Sequence, residues 1–358
     1  MSVYSRLGFV DYVLMSTVSL ALEAISTDPP AVAMTVVAEA VGRQFGLLGR
    51  FEPLVSERDQ NFRLHADDER EYVIKVVSSA EDAEVTAFQI AMLRHLQHAD
   101  DVSVPRVVQT LGGGSSGEIS SGGTHYRLRA VTWVDGEPLE AGDLDRAGAR
   151  QFGTALARLD LALQGFAHPG EDRALAWDMQ RVVELRGLVD NIDDRAVHAA
   201  VAGAIDSYES RVLPVKAKLH SQVIHGDANP GNVLVAGDRN AFIDFGDAVK
   251  APRVFDLAIA AAYLRVPGDD PSVLIAPLVT GYQAVSPLED LETDLLFDLI
   301  RARLATTITL LYWRVSARDP LDPYRQKTLE LENGASVFLR KLDAFGRERF
   351  HRKLSDSQ

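Results

Sequence analysis

The segment His225-Gly226-Asp227-Ala228-Asn229-Pro230-Gly231-Asn232, followed by Ile243-Asp244-Phe245-Gly246-Asp247, holds the densest chemistry in the chain. Two short apolar runs lie between these clusters, Val233 to Val235 and Phe242 to Ile243, and they read as the arms of a hairpin. A hairpin over 233–243 brings Asn232 and Asp244 side by side. Asp227 stands five positions before Asn232, on the loop that follows an apolar Val223-Ile224 strand, far enough away to face something else. Asp, Asn and Gly are also turn residues, and Asn229-Pro230-Gly231 is turn chemistry in any setting. Two acidic clusters bracketing one apolar hairpin are harder to explain as turns alone.

Phosphoryl transfer needs few parts: a carboxylate that orients and deprotonates the acceptor hydroxyl, oxygen ligands for Mg²⁺, and a cation on the nucleotide phosphates. Mg²⁺ takes oxygen ligands from one or two carboxylates and from the phosphates themselves, which an Asp and an Asn at the ends of one hairpin supply. The cation is sought upstream. Tyr72-Val73-Ile74-Lys75-Val76 is a β-rich run that carries one Lys, and such a Lys costs strand stability unless its head is paired or exposed at an edge. Lys75 is the expected phosphate ligand, with Glu84 near the start of the following helix as its ion-pair partner and Glu81 as the competing one.

The same residues resemble the aminoglycoside phosphotransferase and small-molecule kinase family, whose mark is H-G-D-x-x-x-x-N followed by I-D-F/W-G. The resemblance implies an α+β, bilobal, protein-kinase-like fold. It makes Asp227 the catalytic base and Asn232 and Asp244 the metal ligands, and it makes Asp256 a structural anchor for the loop. A narrower likeness, to hydroxylysine kinase and aminotransferase-fused kinase domains, rests on Ser56-Glu57-Arg58-Asp59-Gln60-Asn61-Phe62-Arg63, Tyr72 to Val76 and Ile243 to Ala248. It runs from about Val36 to about Leu264. It implies ATP or GTP as donor and hydroxylysine or a related amino alcohol or amino acid as acceptor, with aminoglycoside, choline and homoserine as alternatives in the wider family. The loop 56–62 has no glycine, so phosphate would be cradled by backbone amides or by Ser56 and Asn61; a solvated polar turn is the equal alternative. Ala130 to Gly136 occupies the place of the inter-lobe hinge, where the base would meet the backbone of Thr132 and Val134. Trp133 reads equally as a core aromatic.

Working outward, Met34, Val37, Ala38, Val41 and Phe45 recur at helical spacing, with Gly46 as the stop. Strands are expected at Phe51 to Val55, Asn61 to Leu64, Tyr72 to Val77, Arg106 to Leu111 and Tyr126 to Val131, and a helix at Ala83 to His98. The Gly/Ser run 112–123 contains G-x-G-x-x-G and G-x-S-x-G matches without the strand-to-helix setting either needs, and it reads as a flexible hairpin tip. Beyond Trp133 the periodicity is mostly helical: Phe152, Leu156, Leu159 and Leu163; Val182, Leu185 and Val189; Val201, Ile205, Tyr208 and Val212. The organisation read here is a helical extension over 1–46, a small sheet lobe with one helix over 47–133, and a larger helical lobe over 134–358. The family likeness implies that helices of this region build the acceptor pocket, but the helix Leu299 to Arg314, with Arg301, Arg303, Tyr312, Trp313 and Arg314, reads mostly as amphipathic with a charged outer face.

The chain has 358 residues, 46% hydrophobic, and 37 basic against 51 acidic side chains give a formal charge of −14. That balance argues against a nucleic-acid partner and is compatible with a small cationic acceptor. The absence of cysteine removes thiol chemistry and fits a reducing, cytoplasmic setting. Phe9 to Ile25 is interrupted by Asp11 and Glu23, so it reads as an amphipathic helix and not as a membrane span. The oligomeric state is left open, and a catalytically silent nucleotide-binding or regulatory module is the reading from another class.

Overall fold

The computed structural model describes residues 29–56, 58–139, 144–237, 239–317 and 323–357. The N-terminal helix expected over Phe9 to Ile25 lies outside them. Helix α1 (Met34–Phe45) ends where Gly46 turns left-handed, φ 71°, and returns its N–H to the Gly42 carbonyl. Five strands follow: β1 (Gly49–Leu54), β2 (Gln60–Ala66), β3 (Glu71–Val76), β4 (Gly117–Ser121) and β5 (Thr124–Thr132), with helix α2 (Ala83–Leu96) between β3 and β4. They form one antiparallel sheet in the order β1-β2-β3-β5-β4.

The alternation of β3 decides which face becomes the site. Tyr72, Ile74 and Val76 are buried against Val37, Val41 and Phe45 of α1. With side chains alternating across a strand, Val73 and Lys75 take the opposite face. Helix α2 is fixed there: Phe88 and Met92 join Val131 in the core shared with the helical lobe, and Phe88 stacks on Phe166 with ring centres 6.0 Å apart.

Two expectations are corrected in this lobe. Residues 106–111 form no strand; they make a single bridge, Val107 to Val131, before Leu111 donates to the Gln44 carbonyl. The edge strand is β4, inside the Gly/Ser run. Gln44 substitutes for a neighbouring strand, accepting from the Glu118 N–H at 2.9 Å and donating to its carbonyl at 2.6 Å. A side chain at Gly117 would collide with Gln44. The hairpin tip is Gly122-Gly123, both at positive φ, as a tight turn between twisted strands requires.

The remaining chain is largely helical. After β6 (Glu137–Pro138) come α3 (Arg146–Leu163), α4 (Arg195–Ser207), α5 (Val254–Ala262), α6 (Ser272–Gln283), α7 (Asp290–Ala317), α8 (Pro323–Phe345) and α9 (Arg347–Ser355). Residues Met179–Asn191 form a long 3₁₀ helix, in keeping with the three-residue step from Val182 to Leu185. Four short strands interrupt the helices: β7 (Ser221–Ile224), β8 (Val233–Ala236), β9 (Arg239–Phe242) and β10 (Val249–Pro252). β7 pairs with β10, and β8 with both β9 and β6. No helix among the described residues is long and apolar enough to cross a membrane.

Helices α3 and α6 approach so closely that each needs a glycine at the crossing. A Cβ on Gly153 would stand 1.9 Å from the Leu278 carbonyl, and one on Gly281 1.9 Å from the Arg150 carbonyl. Both obstacles are backbone, so neither can rotate away. Gly153→Ala is expected to cost at least about 2 kcal/mol through overpacking, read as a lower midpoint in urea unfolding. An unchanged midpoint would show that the crossing has slack.

Candidate active site

The hairpin register brings the two clusters together. Val233 pairs with Phe242, and the Ile243 N–H donates to the Asn232 carbonyl at 3.0 Å, so Asn232 and Asp244 flank the hairpin base. The preceding loop hangs from Asp256, a buried carboxylate on α5. It accepts from the His225 N–H at 2.7 Å and from the Gly226 N–H at 2.8 Å. Gly226 has φ 77°, and a Cβ there would lie 2.2 Å from the Asp247 carbonyl. Only glycine fits at this crossing of the two loops.

His225 is fully buried and committed on both nitrogens. Nε2 lies 3.0 Å from the Ile243 carbonyl, and the Asp227 N–H approaches Nδ1 at 3.3 Å. A carbonyl only accepts, which assigns the proton to Nε2 and leaves Nδ1 as acceptor. The ring ties the two loops together and has no nitrogen left for proton transfer.

Asp227 is held from two sides. Its Oδ2 accepts from the side-chain amides of Asn229 and Asn232, both at 2.9 Å. Its Oδ1 accepts from Arg303 at 2.8 Å. A carboxylate oxygen has two lone pairs, so Oδ1 keeps capacity for one further donor. Burial pushes the Asp227 carboxyl up to about 6, with the Arg303 charge opposing the rise.

Arg303 is the residue that sequence reading missed. It was assigned to a charged outer face, yet it is 1% exposed. It donates also to the Trp177 carbonyl at 2.9 Å and to the Tyr263 hydroxyl at 3.2 Å. A signal was available, because Arg303 sits four residues after Leu299 and three after Ile300, both buried, on the apolar stripe of α7. A charge there has to find a buried partner.

Asp244 takes up left-handed backbone, φ 58°, with its side chain 59% exposed. Lys75 lies 3.8 Å from its Oδ1. The Lys75 charge, followed by that of Arg58, lowers the Asp244 carboxyl below its ordinary value. Arg58 of the β1–β2 loop ion-pairs with Asp247, and Arg173 donates to the Gly246 carbonyl at 3.0 Å. The Asp244–Asp247 loop is therefore surrounded by Lys75, Arg58 and Arg173, of which the last two were not singled out from sequence.

The expected Lys75–Glu84 pair does not form. Glu84 is exposed at the start of α2, where its backbone meets Gly170, and Asp244 is the carboxylate paired with Lys75. Nor does Glu81 reach Lys75: its Oε1 accepts from Thr86 at 2.7 Å. The cation buried beside Lys75 in the ladder is Arg129, hydrogen-bonded to Gln89. Asn61 pairs across the strands with Lys75, and its side-chain oxygen is buried without a partner. Ser56 is half-buried on the loop. At the hinge, the Thr132 N–H and Oγ1 are both taken by Arg106, whereas the Val134 backbone makes no hydrogen bond among the described residues. Trp133 lies under the Arg63 guanidinium, 3.9 Å from the ring centre.

The donor set suits Mg²⁺. Because the Asn232 amide nitrogen is committed to Asp227, its oxygen remains as a ligand, and Asp244 Oδ2 has no partner among the described residues. Two oxygens do not make an all-protein cage, and no cluster of three or more His, Cys, Asp or Glu that could hold a metal occurs among the described residues. Such a pair matches the way Mg²⁺ is shared with substrate phosphates.

A family model described as "Phosphotransferase enzyme family" matches residues 50–291. The chain belongs to that family and is a small-molecule kinase. Among curated relatives it is 26% identical to hydroxylysine kinase of Danio rerio over 311 residues, covering 82% of this chain and 88% of that protein. It is also 26% identical to homoserine kinase of Brucella anthropi over 288 residues, 75% and 82% of the two chains. Among solved structures, a microcompartment-associated aminopropanol kinase superposes with TM-score 0.69 at 17% identity, over 90% of this chain and all (100%) of that one. An amicoumacin kinase bound to AMP-PNP gives TM-score 0.68 at 15% identity, covering 87% and 94%. These likenesses bear out the bilobal, protein-kinase-like fold.

Arg303→Met removes one partner of the buried pair with Asp227 and is expected to destabilise the fold by on the order of 3 kcal/mol, with Arg303→Lys losing less. Chemical denaturation of both variants measures this. Wild-type stability in both would show that the ion pair holds nothing.

Proposed function

We propose that this kinase moves the γ-phosphoryl group of ATP or GTP, with Mg²⁺, to a hydroxyl of a small amino acid or amino alcohol, with hydroxylysine as the first candidate. The observation that carries the reading is the state of Asp227, held rigidly by Arg303, Asn229 and Asn232 with one lone pair of Oδ1 to spare. A hydroxyl donating to that lone pair is fixed in direction, and its proton passes to Asp227 as the oxygen bonds to phosphorus. Lys75 sets the phosphates over Asp244 and offsets their charge. Asn232 and Asp244 would hold Mg²⁺, which when bound neutralises charge on the transferring group. On the nucleotide side, Asn61 and Ser56 line the strand and loop next to Lys75, and Val134 offers a free backbone to the base. Thr132 and Glu84 are left to structural roles. Relatives named as hydroxylysine kinases favour that acceptor; the homoserine kinases, at the same identity, make homoserine the second reading.

A screen of ATP and GTP, each with and without Mg²⁺, against hydroxylysine, homoserine, choline, ethanolamine and an aminoglycoside tests the reading. Asp227→Ala should lower kcat by about 10²- to 10⁴-fold while nucleotide still binds. Absence of nucleotide binding by the wild-type chain would sink it.

The sign of the pH dependence follows from the role of Asp227. The base works ionised, and its carboxyl titrates at about 6. The kcat/KM for acceptor is therefore expected to be flat above pH 7 and to fall about tenfold per pH unit well below 6. A profile level down to pH 5 would remove Asp227 from the role of base.

A further inference from the structure

In the helical lobe near Asp227 stands a guanidinium, Arg265, that no carboxylate among the described residues neutralises. Arg303 and Arg265 share one phenol: their guanidinium carbons lie 5.7 Å and 4.9 Å from the centre of the Tyr263 ring. Arg303 is balanced by Asp227. Arg265 meets only carbonyls, donating from Nε to Ala262 at 2.9 Å and from Nη1 to Leu331 at 3.4 Å. Its Nη2 is buried and has no partner, and no carboxylate pairs with it among the described residues. Burial, reinforced by repulsion from Arg303, disfavours the Arg265 charge even as the Tyr263 hydroxyl side favours it. A poorly solvated guanidinium without a counter-ion is costly, and natural folds seldom keep one unless something else supplies the anion.

We infer that the Arg265 guanidinium binds the carboxylate of the acceptor, so that the acceptor is a hydroxylated amino acid and not the corresponding amino alcohol. This rests on the phosphoryl-acceptor reading of Asp227 given above and adds the group that anchors the far end of the substrate. The acceptor hydroxyl meets Asp227 Oδ1, where Arg303 also donates, and Tyr263 carries the surface from Arg303 to Arg265. Both ends of an amino-acid acceptor thus meet a guanidinium, the first already paired and the second waiting for its partner. Lysine is a poor replacement, because a point charge lacks the planar fork that matches a carboxylate.

The test compares pairs of acceptors that differ only in the carboxylate: hydroxylysine with 1,5-diaminopentan-2-ol, and homoserine with 3-aminopropan-1-ol. Wild type, Arg265→Gln and Arg265→Lys are assayed as the full chain, with thermal melting to confirm folding. The wild-type preference for the carboxylated member of the productive pair, in kcat/KM, should fall at least about 30-fold in Arg265→Gln, through KM for acceptor, and less in Arg265→Lys. KM for nucleotide should hold, which a general loss of structure would not allow. An unchanged preference, or a wild-type preference for the amino alcohol, overturns the inference. Calorimetric titration of hydroxylysine and homoserine into the three proteins gives an answer that does not depend on turnover. Tighter binding to wild type than to Arg265→Gln supports the carboxylate site even if no phosphoryl transfer is seen, in which case the function proposed above fails alone. Equal binding, or none to the wild type, overturns the site.

Discussion

The loop that presents Asp227 hangs on one buried carboxylate. Asp256 accepts two consecutive backbone N–H groups, from His225 and Gly226, and so fixes the start of the loop that presents Asp227. An ionised group in that position needs support, because burial pushes the Asp256 carboxyl up while the two amides hold it down. Asp160 of α3 is part of the same arrangement. Burial and the Asp256 charge push its carboxyl well up, and its Oδ2 accepts from Tyr282 at 2.5 Å. Tyr282 of α6 and Asp160 of α3 thus join the α3–α6 crossing beside the carboxylate that carries the loop.

The charges around the site are sorted by loop. Asp227 has Arg303 beneath it; Asp244 and Asp247 have Lys75 and Arg58, which come from the other lobe. Arg58 and Lys75 therefore hold the small lobe onto the Asp244–Asp247 loop through charge, while α2 holds it through Phe88 against Phe166. The loop between β1 and β2 contributes to this through the long cationic side chain of Arg58. The arrangement is preorganised in the sense that matters for phosphoryl transfer, since the positions of charge, more than covalent chemistry, lower the barrier.

Much of this was legible in the chain. The two polar clusters and the apolar runs between them specify a hairpin by pattern alone, and the hairpin places Asn232 next to Asp244. Strand alternation around Lys75 specifies its face. What was not legible depends on contacts distant in sequence. The edge strand β4 exists because Gln44, far upstream, completes its hydrogen bonds, so a Gly/Ser run that looks like loose chain becomes ordered. Glu84 was the natural partner for Lys75 by order along the chain, but α2 is anchored to the helical lobe and leaves Glu84 in solvent. Arg303 was hidden by the habit of treating helix charges as outward.

The sequence by itself pointed to most of the elements, to the family and to the two acidic clusters that the hairpin brings together, because each follows from local periodicity, turn chemistry or short motif spacing. Tertiary structure alone decided which cation serves which acid. Lys75 goes to Asp244, Arg58 to Asp247 and Arg303 to Asp227, while Arg265 meets no carboxylate among the described residues. The reason is physical: an ion pair is set by distances of a few ångströms between side chains whose positions in the chain differ by dozens or hundreds of residues, and only packing of the helices and the sheet fixes those distances.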